Sequence, residues 1–340
     1  KVGDAGLDWP NLGFAPQAVN GYVQCSWKEG HGWSKPKLVQ EATVKMSCWA
    51  NVLHYGQSIF EGQKAFQGQD GKVRIFNDKE NYMRLTHGCR RMMLPELPLE
   101  LFQEAMDMAI KENLEFLPPY GSNCSMYLRP ILFGDSAQIQ LHPATEAQFL
   151  VMVAPVSGYF KGGALTAVPG MVVENYDRAA PKGVGAVKAA GNYAADMKAA
   201  GEGKKAGYPI GLYLDPVERK YVEEWNSSNF VAIIGNKYVT PESASILPSI
   251  TNKSLIKVAA DLGLEVERRQ IDFLKEVETF DEVGAVGTAV VVTPVKSITM
   301  RDKTWEFKPP STLQRLHDKM RQIQNGEAED KHGFLREVSL

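Results

Sequence analysis

Cysteine is scarce in this chain: four residues in 340, and none of Cys25, Cys48, Cys89 and Cys124 belongs to a C-x-x-C pair. That excludes a disulfide-stapled small fold and leaves a structural zinc site without support, so the four read as reduced thiols. Long apolar runs are missing as well. The longest, residues 149–156 and 283–293, have the length of a strand and fall far short of a membrane span. Neither charge is in excess: 38 Lys plus Arg stand against 40 Asp plus Glu, a net charge of −2, with no basic cluster suited to nucleic acid or an acidic lipid surface. Repeats and low-complexity stretches are absent. What remains, 44% hydrophobic and 23% charged residues, is the composition of a globular protein with a real core. At about 150 residues per domain the length suits two domains. No signal peptide opens the chain, which starts at Lys1, so the expected location is the cytoplasm, or an organelle matrix after loss of a targeting segment.

Periodicity divides the chain into two α+β domains. In the first, residues 43–53 and 72–76 have strand character, and a helix is predicted from Asp78, with Tyr82, Leu85, Cys89 and Met92 at three- and four-residue steps. A second helix covers 97–116, its apolar face drawn by Leu101, Ala105, Met108 and Ala109, and strands follow at 125–133 and 147–156. A Gly-rich break at 158–165 precedes strands at 166–175, 210–215, 229–235, 264–270 and 286–295, with helices at 191–206, 249–262 and 311–325. The expected division is a small N-terminal domain at 1–160, a linker at 161–176 and a larger mixed-sheet, barrel-like domain at 177–340.

Four places carry chemistry. Lys188 lies in GVGAVKAAGNY, the only charge between Lys182 and Asp196. A lysine is ordinarily a solvated spectator. Small neighbours let a flat ring approach the backbone, however, and a partly desolvated amine loses its proton more readily and can condense with an aldehyde. Tyr193, five residues on, is either a core aromatic or a phenol placed to donate to such a ring. Glu223 and Glu224 are adjacent on a strand, so one faces inward, where a carboxylate needs a cationic partner. A protonated pyridine nitrogen is such a partner; two solvated carboxylates are the alternative. Ser249 and Thr251 open a helix whose first amides suit an anion, or merely cap it. Gly287, Thr288 and Ala289 form a turn with amides and a hydroxyl for an oxyanion, or simply a hairpin turn.

Taken in order, HYGQSIFEGQKAF (54–66), YLRPILFG (127–134), GYFKGG (158–163), VKAAGNY (187–193), EEWNSSNF (223–230), ILPSIT (246–251) and GTA (287–289) resemble the branched-chain amino acid aminotransferases, which are fold-type IV enzymes using pyridoxal 5′-phosphate. The resemblance runs through nearly the whole chain. It implies Lys188 as the Schiff-base lysine and proton shuttle, Tyr193 at the cofactor's 3′-oxygen and Glu224, rather than Glu223, at the pyridine nitrogen. It further implies the Ile250 and Thr251 amides and the Thr288 hydroxyl as phosphate partners, and the Thr288–Ala289 amides with Tyr127 as the substrate α-carboxylate site. Tyr55, Phe60 and Tyr159, with Phe14 beside them, would wall an apolar side-chain pocket, and Arg129 would receive the side-chain carboxylate of glutamate. The implied reaction is reversible transamination of leucine, isoleucine or valine with 2-oxoglutarate by a homodimer that takes only small-molecule substrates. Relatives of the same fold that act on D-amino acids or as aminodeoxychorismate lyases, and a non-catalytic binding protein, are the alternatives.

Several positions depart from the family pattern. Phe76-Asn77-Asp78 stands where the family has an arginine that meets the phosphate, and Asn77 supplies at most a neutral hydrogen bond. Arg74 and Arg129 are the replacement cations nearest in sequence. Ser249 replaces a usual glycine, Asn252 a common arginine, and Ala190 one of two glycines after the lysine.

Overall fold

In the strand Ser125–Gly134, residues facing the core alternate with partly exposed ones. This strand is the spine of the first sheet, pairing antiparallel along its whole length with Glu146–Val156. The computed structural model describes residues 1–157 and 165–340, which divide into two units: 1–159, 187–190 and 323–340 in the first, and 160–186 with 191–322 in the second. Across the first sheet the strands run Leu335–Glu337, Val73–Phe76, Gln63–Gln67, Ser125–Gly134, Glu146–Val156, Tyr22–Lys28 and Gly32–Trp33, with Ser58–Phe60 and Lys37–Val39 attached at its sides. Helices Asp78–Met92 and Leu99–Lys111 belong to the same unit. The second helix buries Phe102, Ala105, Met106, Ala109 and Ile110, so the core stripe lies slightly to one side of the predicted one.

The second unit is built on a sheet that closes. Val222–Trp225, Ile210–Leu214, Val168–Val172, Val291–Met300, Glu282–Gly287 and Asn229–Ile234 pair in that order, and the last pairs back to the first through Glu224 and Asn229. Six strands therefore form a barrel, and Lys237–Pro241 and Glu265–Arg269 extend it. Leu212, Trp225, Phe230, Val283, Ala285, Val295 and Ile298 fill the barrel's core. The mixed α+β class and the barrel-like second domain are as expected.

Three expectations are corrected. Residues 43–49 are not a strand, and Asn51–Tyr55 is a short helix ended by left-handed Gly56. Val44 and Met46 instead pack on Tyr22, Phe133 and Leu150, because β-propensity makes no strand without a ladder partner. The strand drawn over 286–295 is interrupted at 288–290 by the turn between Glu282–Gly287 and Val291–Met300. The domain division also differs. Val168–Val172 is a barrel strand rather than linker, while Val187–Ala190 and the last eighteen residues, 323–340, cluster with the first unit.

The first unit is locked by a buried ion pair. Glu61 follows Ser58–Phe60 and is fully buried; its carboxylate accepts from Arg84 Nε at 2.8 Å and Nη2 at 2.7 Å, and from Asn81 Nδ2 at 2.7 Å. Removing one partner leaves a desolvated charge, whereas replacing both removes the need for pairing. Arg84→Met is expected to destabilise the protein by about 3–5 kcal/mol, and Glu61→Leu/Arg84→Met by clearly less. Denaturant unfolding of the two variants checks the ordering.

Candidate active site

In the first unit the chemistry gathers around one ring. Phe60 ends the strand Ser58–Phe60; the Lys188 ammonium lies 4.8 Å from its centroid and the Arg129 guanidinium 4.7 Å from it. Both cations thus use the ring's negative face. Lys188 is held there by its own backbone. Its carbonyl accepts from Phe60 N at 3.1 Å, Ala189 bridges to Ile59, and the flanking Val187 and Ala189 are buried. Tyr127 and Arg129 are two apart on Ser125–Gly134 and share a face, and Arg129 Nη2 donates to the Tyr127 hydroxyl at 3.1 Å. Four predicted residues, Lys188, Phe60, Tyr127 and Arg129, are therefore neighbours.

Other first-unit positions stand apart from that cluster. Tyr55 is exposed at the end of its helix, and its hydroxyl donates to the Ile139 carbonyl. Phe14 is exposed, next to Gly13, which is tied to Ser157. Tyr159 lies outside the described residues. Asn77 is buried with a left-handed φ of 54°, and its N–H donates to the Phe334 carbonyl at 2.6 Å. Of the two substitute cations, Arg74 is chelated by Asp70 and Arg129 belongs to the Phe60 cluster.

In the second unit Glu224 sits at the barrel's closing pair and is 3% exposed. The Leu247 N–H donates to its Oε1 at 2.9 Å, and the Leu247 carbonyl accepts from Asn229 Nδ2 at 3.0 Å, so the backbone of one residue clamps both members of the pair. Arg178 Nη2 lies 2.8 Å from the same Oε1. Both adjacent carboxylates are buried, and neither is solvated: Glu223 accepts from Ser243 at 2.9 Å and Ser245 at 2.6 Å. Hydroxyls satisfy Glu223, whereas Glu224 has the cation.

Leu247 leads directly into the helix Ile250–Asp261. Ser249 caps it, accepting from Asn252 N at 3.0 Å, and the helical ladder begins with Lys253 N to Ser249 O at 3.1 Å. Among the described residues the cap and the ladder leave the Ile250 and Thr251 amides unused, as an anion site requires. Asn252 is no phosphate ligand here; its side chain accepts from Tyr238 at 2.6 Å and donates to Thr240 at 2.9 Å. The Thr288–Ala289 turn is closed by Gly287 opposite Val291, and Val291 is a buried β-branched residue at φ 63°, an outlier of the kind found at functional turns. Tyr193 lies in the first turn of Ala190–Lys205 and is partly buried.

This donor set fits a phosphorylated pyridine aldehyde. Within the second unit an acid (Glu224), a phenol (Tyr193), two main-chain amides at a helix start and a hydroxyl (Thr288) are the donor types such a group would need. Sequence reasoning missed the roles of Arg178, Gly62 and the Leu247 amide, each of which acts through a partner distant in the chain.

A family model described as amino-transferase class IV matches residues 58–298. The branched-chain-amino-acid aminotransferase of Helicobacter pylori is 41% identical over 335 residues, covering 98% of each chain. Its counterpart in Haemophilus influenzae is 38% identical, covering 98% of this chain and 99% of that one. Among solved structures, the branched-chain amino acid aminotransferase of Escherichia coli superposes with a TM-score of 0.75 at 27% identity, covering 93% of this chain and all 100% of that one.

Gly62 decides where the Tyr127 phenol stands. A Cβ at position 62 would overlap the Tyr127 hydroxyl and crowd its ring carbon at 3.1 Å. Gly62→Ala is therefore expected to push Tyr127 off Arg129 and to destabilise the protein by about 1–3 kcal/mol. Unfolding measurements together with the Tyr127 ring resonances check both effects.

Proposed function

The chain belongs to the class IV aminotransferases, and on that premise we propose that it reversibly exchanges the amino group of leucine, isoleucine or valine with 2-oxoglutarate, using pyridoxal 5′-phosphate. The observation that carries the reading is the ring of Phe60 with Lys188 and Arg129 within 5 Å of it: 4.8 and 4.7 Å. One apolar wall thus meets both a reactive amine and a guanidinium. A branched aliphatic side chain needs the ring, and the side-chain carboxylate of glutamate needs Arg129. Relatives 38–41% identical to this chain are named branched-chain aminotransferases.

Bound to these residues, pyridoxal phosphate supplies an aldehyde carbon that takes the amino group and a ring that withdraws electrons. The protein's part is binding and proton transfer. The Ile250 and Thr251 amides and the Thr288 hydroxyl hold the phosphate, Tyr193 the ring oxygen and Glu224 the ring nitrogen. The Tyr127 hydroxyl and the Thr288–Ala289 amides orient the substrate α-carboxylate. Lys188 Nζ accepts the proton from the substrate Cα as general base and returns it as general acid. Leucine leaves as its 2-oxo acid, and the same groups run the reverse sequence on 2-oxoglutarate. Amino group and carbonyl oxygen change places with no net redox change.

Addition of L-leucine to the purified holoprotein is expected to replace the aldehyde-form absorbance by the amine-form absorbance. Lys188→Ala is expected to lower turnover by at least about 10²–10⁴-fold. Turnover of D-alanine but not L-leucine would instead favour the D-amino acid relatives.

A homodimer is part of the same reading. In the first unit Trp49, Leu53, Tyr55, Ile139 and Leu141 are exposed, Leu141 to 78%. Gln138 N bonds the Trp49 carbonyl and Tyr55 bonds Ile139, which makes them one apolar patch suited to a second copy. Leu53→Glu/Leu141→Glu is expected to shift the sedimentation coefficient from dimer to monomer. No helix among the described residues is long and apolar enough to cross a membrane. A reducing compartment, the cytoplasm or an organelle matrix, suits the free thiols, of which burial pushes Cys25 and Cys89 up to about 12.

A further inference from the structure

We propose that Arg178 is a positioning residue that keeps the ring proton on the cofactor nitrogen by holding Glu224 in a guanidinium pair; the proposal rests on the reading of Glu224 as the acid that meets that nitrogen. Arg178 lies in the loop that leads from the barrel strand Val168–Val172 toward Lys188, and its side chain is 8% exposed. Its Nη2 reaches Glu224 Oε1 at 2.8 Å and the Gly185 carbonyl at 2.8 Å, and it also donates to the Ser245 carbonyl. Nε is buried and has no partner among the described residues. The loop is shaped around this group. A Cβ at Gly185 would overlap the Ser245 carbonyl and come within 2.8 Å of Arg178 Nη2, so only glycine lets the chain close over the guanidinium. The small residues before Lys188 thus have a reason besides access for a flat ring.

Arg178 also discriminates between two adjacent acids. Ser245 offers its hydroxyl to Glu223 and its carbonyl to Arg178, so Glu223 is neutralised by hydroxyls and the cation goes to Glu224. Arg178 and the Leu247 amide together hold Oε1 in place. A carboxylate beside a guanidinium is a weaker proton acceptor than an unpaired buried one. A proton shared between Glu224 and the ring nitrogen therefore stays on the ring, the form in which the ring withdraws electrons. Tyr213, bonded to Asp196 at 2.6 Å, is a further ionisable group within the guanidinium's field.

The test compares holoenzyme carrying Arg178→Gln, Arg178→Lys, Glu224→Gln and the double variant Arg178→Gln/Glu224→Gln. Cofactor dissociation constant, absorbance band of the bound cofactor, kcat and leucine KM are read for each. Arg178→Gln is expected to lower kcat by about ten- to a hundredfold, the range over which supporting partners act at bound metal ions. Leucine KM stays within about twofold, since the lost interaction is not one with substrate. Its band should move in the same direction as that of Glu224→Gln, and Arg178→Lys should recover part of both effects. In the Glu224→Gln background, Arg178→Gln should cost little more, because its object is already gone. Losses that simply multiply, or an unmoved band, overturn the role of Arg178. If Arg178→Gln does not fold, Arg178→Lys and Glu224→Gln decide by the direction of their bands, and opposite directions overturn it. A Glu224→Gln variant with wild-type band and kcat sinks the reading of Glu224 itself, and the inference with it.

Discussion

The pairing of Glu224 with Asn229 closes the barrel, and it places an acid at the closing contact. A carboxylate in a dry β-barrel wall is strongly unfavourable unless its oxygens are occupied. Here a guanidinium and the Leu247 main-chain amide occupy one of them, and the carbonyl of the same residue bonds the Asn229 side chain. The segment that satisfies the acid then starts the helix Ile250–Asp261. Closure of the barrel, neutralisation of the acid and aim of the helix N-terminus are therefore one structural event. A change at any of the three therefore disturbs the other two.

The first unit follows a different logic. Lys188 is on a four-residue piece of chain that clusters with the first unit although its sequence neighbours belong to the second. Main-chain bonding to Ile59 and Phe60 fixes the lysine's origin, and the Phe60 ring accepts its ammonium. The strand that carries Phe60 runs straight into Glu61, whose buried pair with Arg84 pins it to the helix Asp78–Met92. Rigidity at the lysine is thus inherited from an ion pair that touches no substrate. A scaffold that tolerates chemistry at one end is held by electrostatics at the other.

How much of this was legible depends on how local each signal is. Helices Asp78–Met92 and Ile250–Asp261 and strands Ser125–Gly134 and Glu146–Val156 were read closely, because long periodic segments state their own faces. Ser58–Phe60, Gln63–Gln67 and Lys237–Pro241 were not, because short strands buried on nearly every residue have no alternation to detect. At the site, Lys188, Tyr127, Arg129 and Phe60 were identified through motif resemblance, and the structure brings them together. Arg178 escaped because nothing local distinguishes one arginine before an Ala-Ala-Pro turn from another. Its role appears only where a carboxylate 46 positions later in the chain comes within 2.8 Å.

The two departures at helix starts have separate physical accounts. Asn77 occupies a left-handed N-terminal position at φ 54°, and asparagine is the non-glycine residue that most readily adopts it. An arginine there would carry about 1–2 kcal/mol of backbone strain, which a phosphate contact could offset in a loaded site but nothing offsets in an empty one. Asparagine removes that strain. Ser249 works in the opposite direction. Its hydroxyl takes the Asn252 amide and fixes the first turn, so the Ile250 and Thr251 amides point as a rigid pair rather than a fraying end. An anion site built from preorganised amides gives up Coulombic reach but incurs little reorganisation on binding.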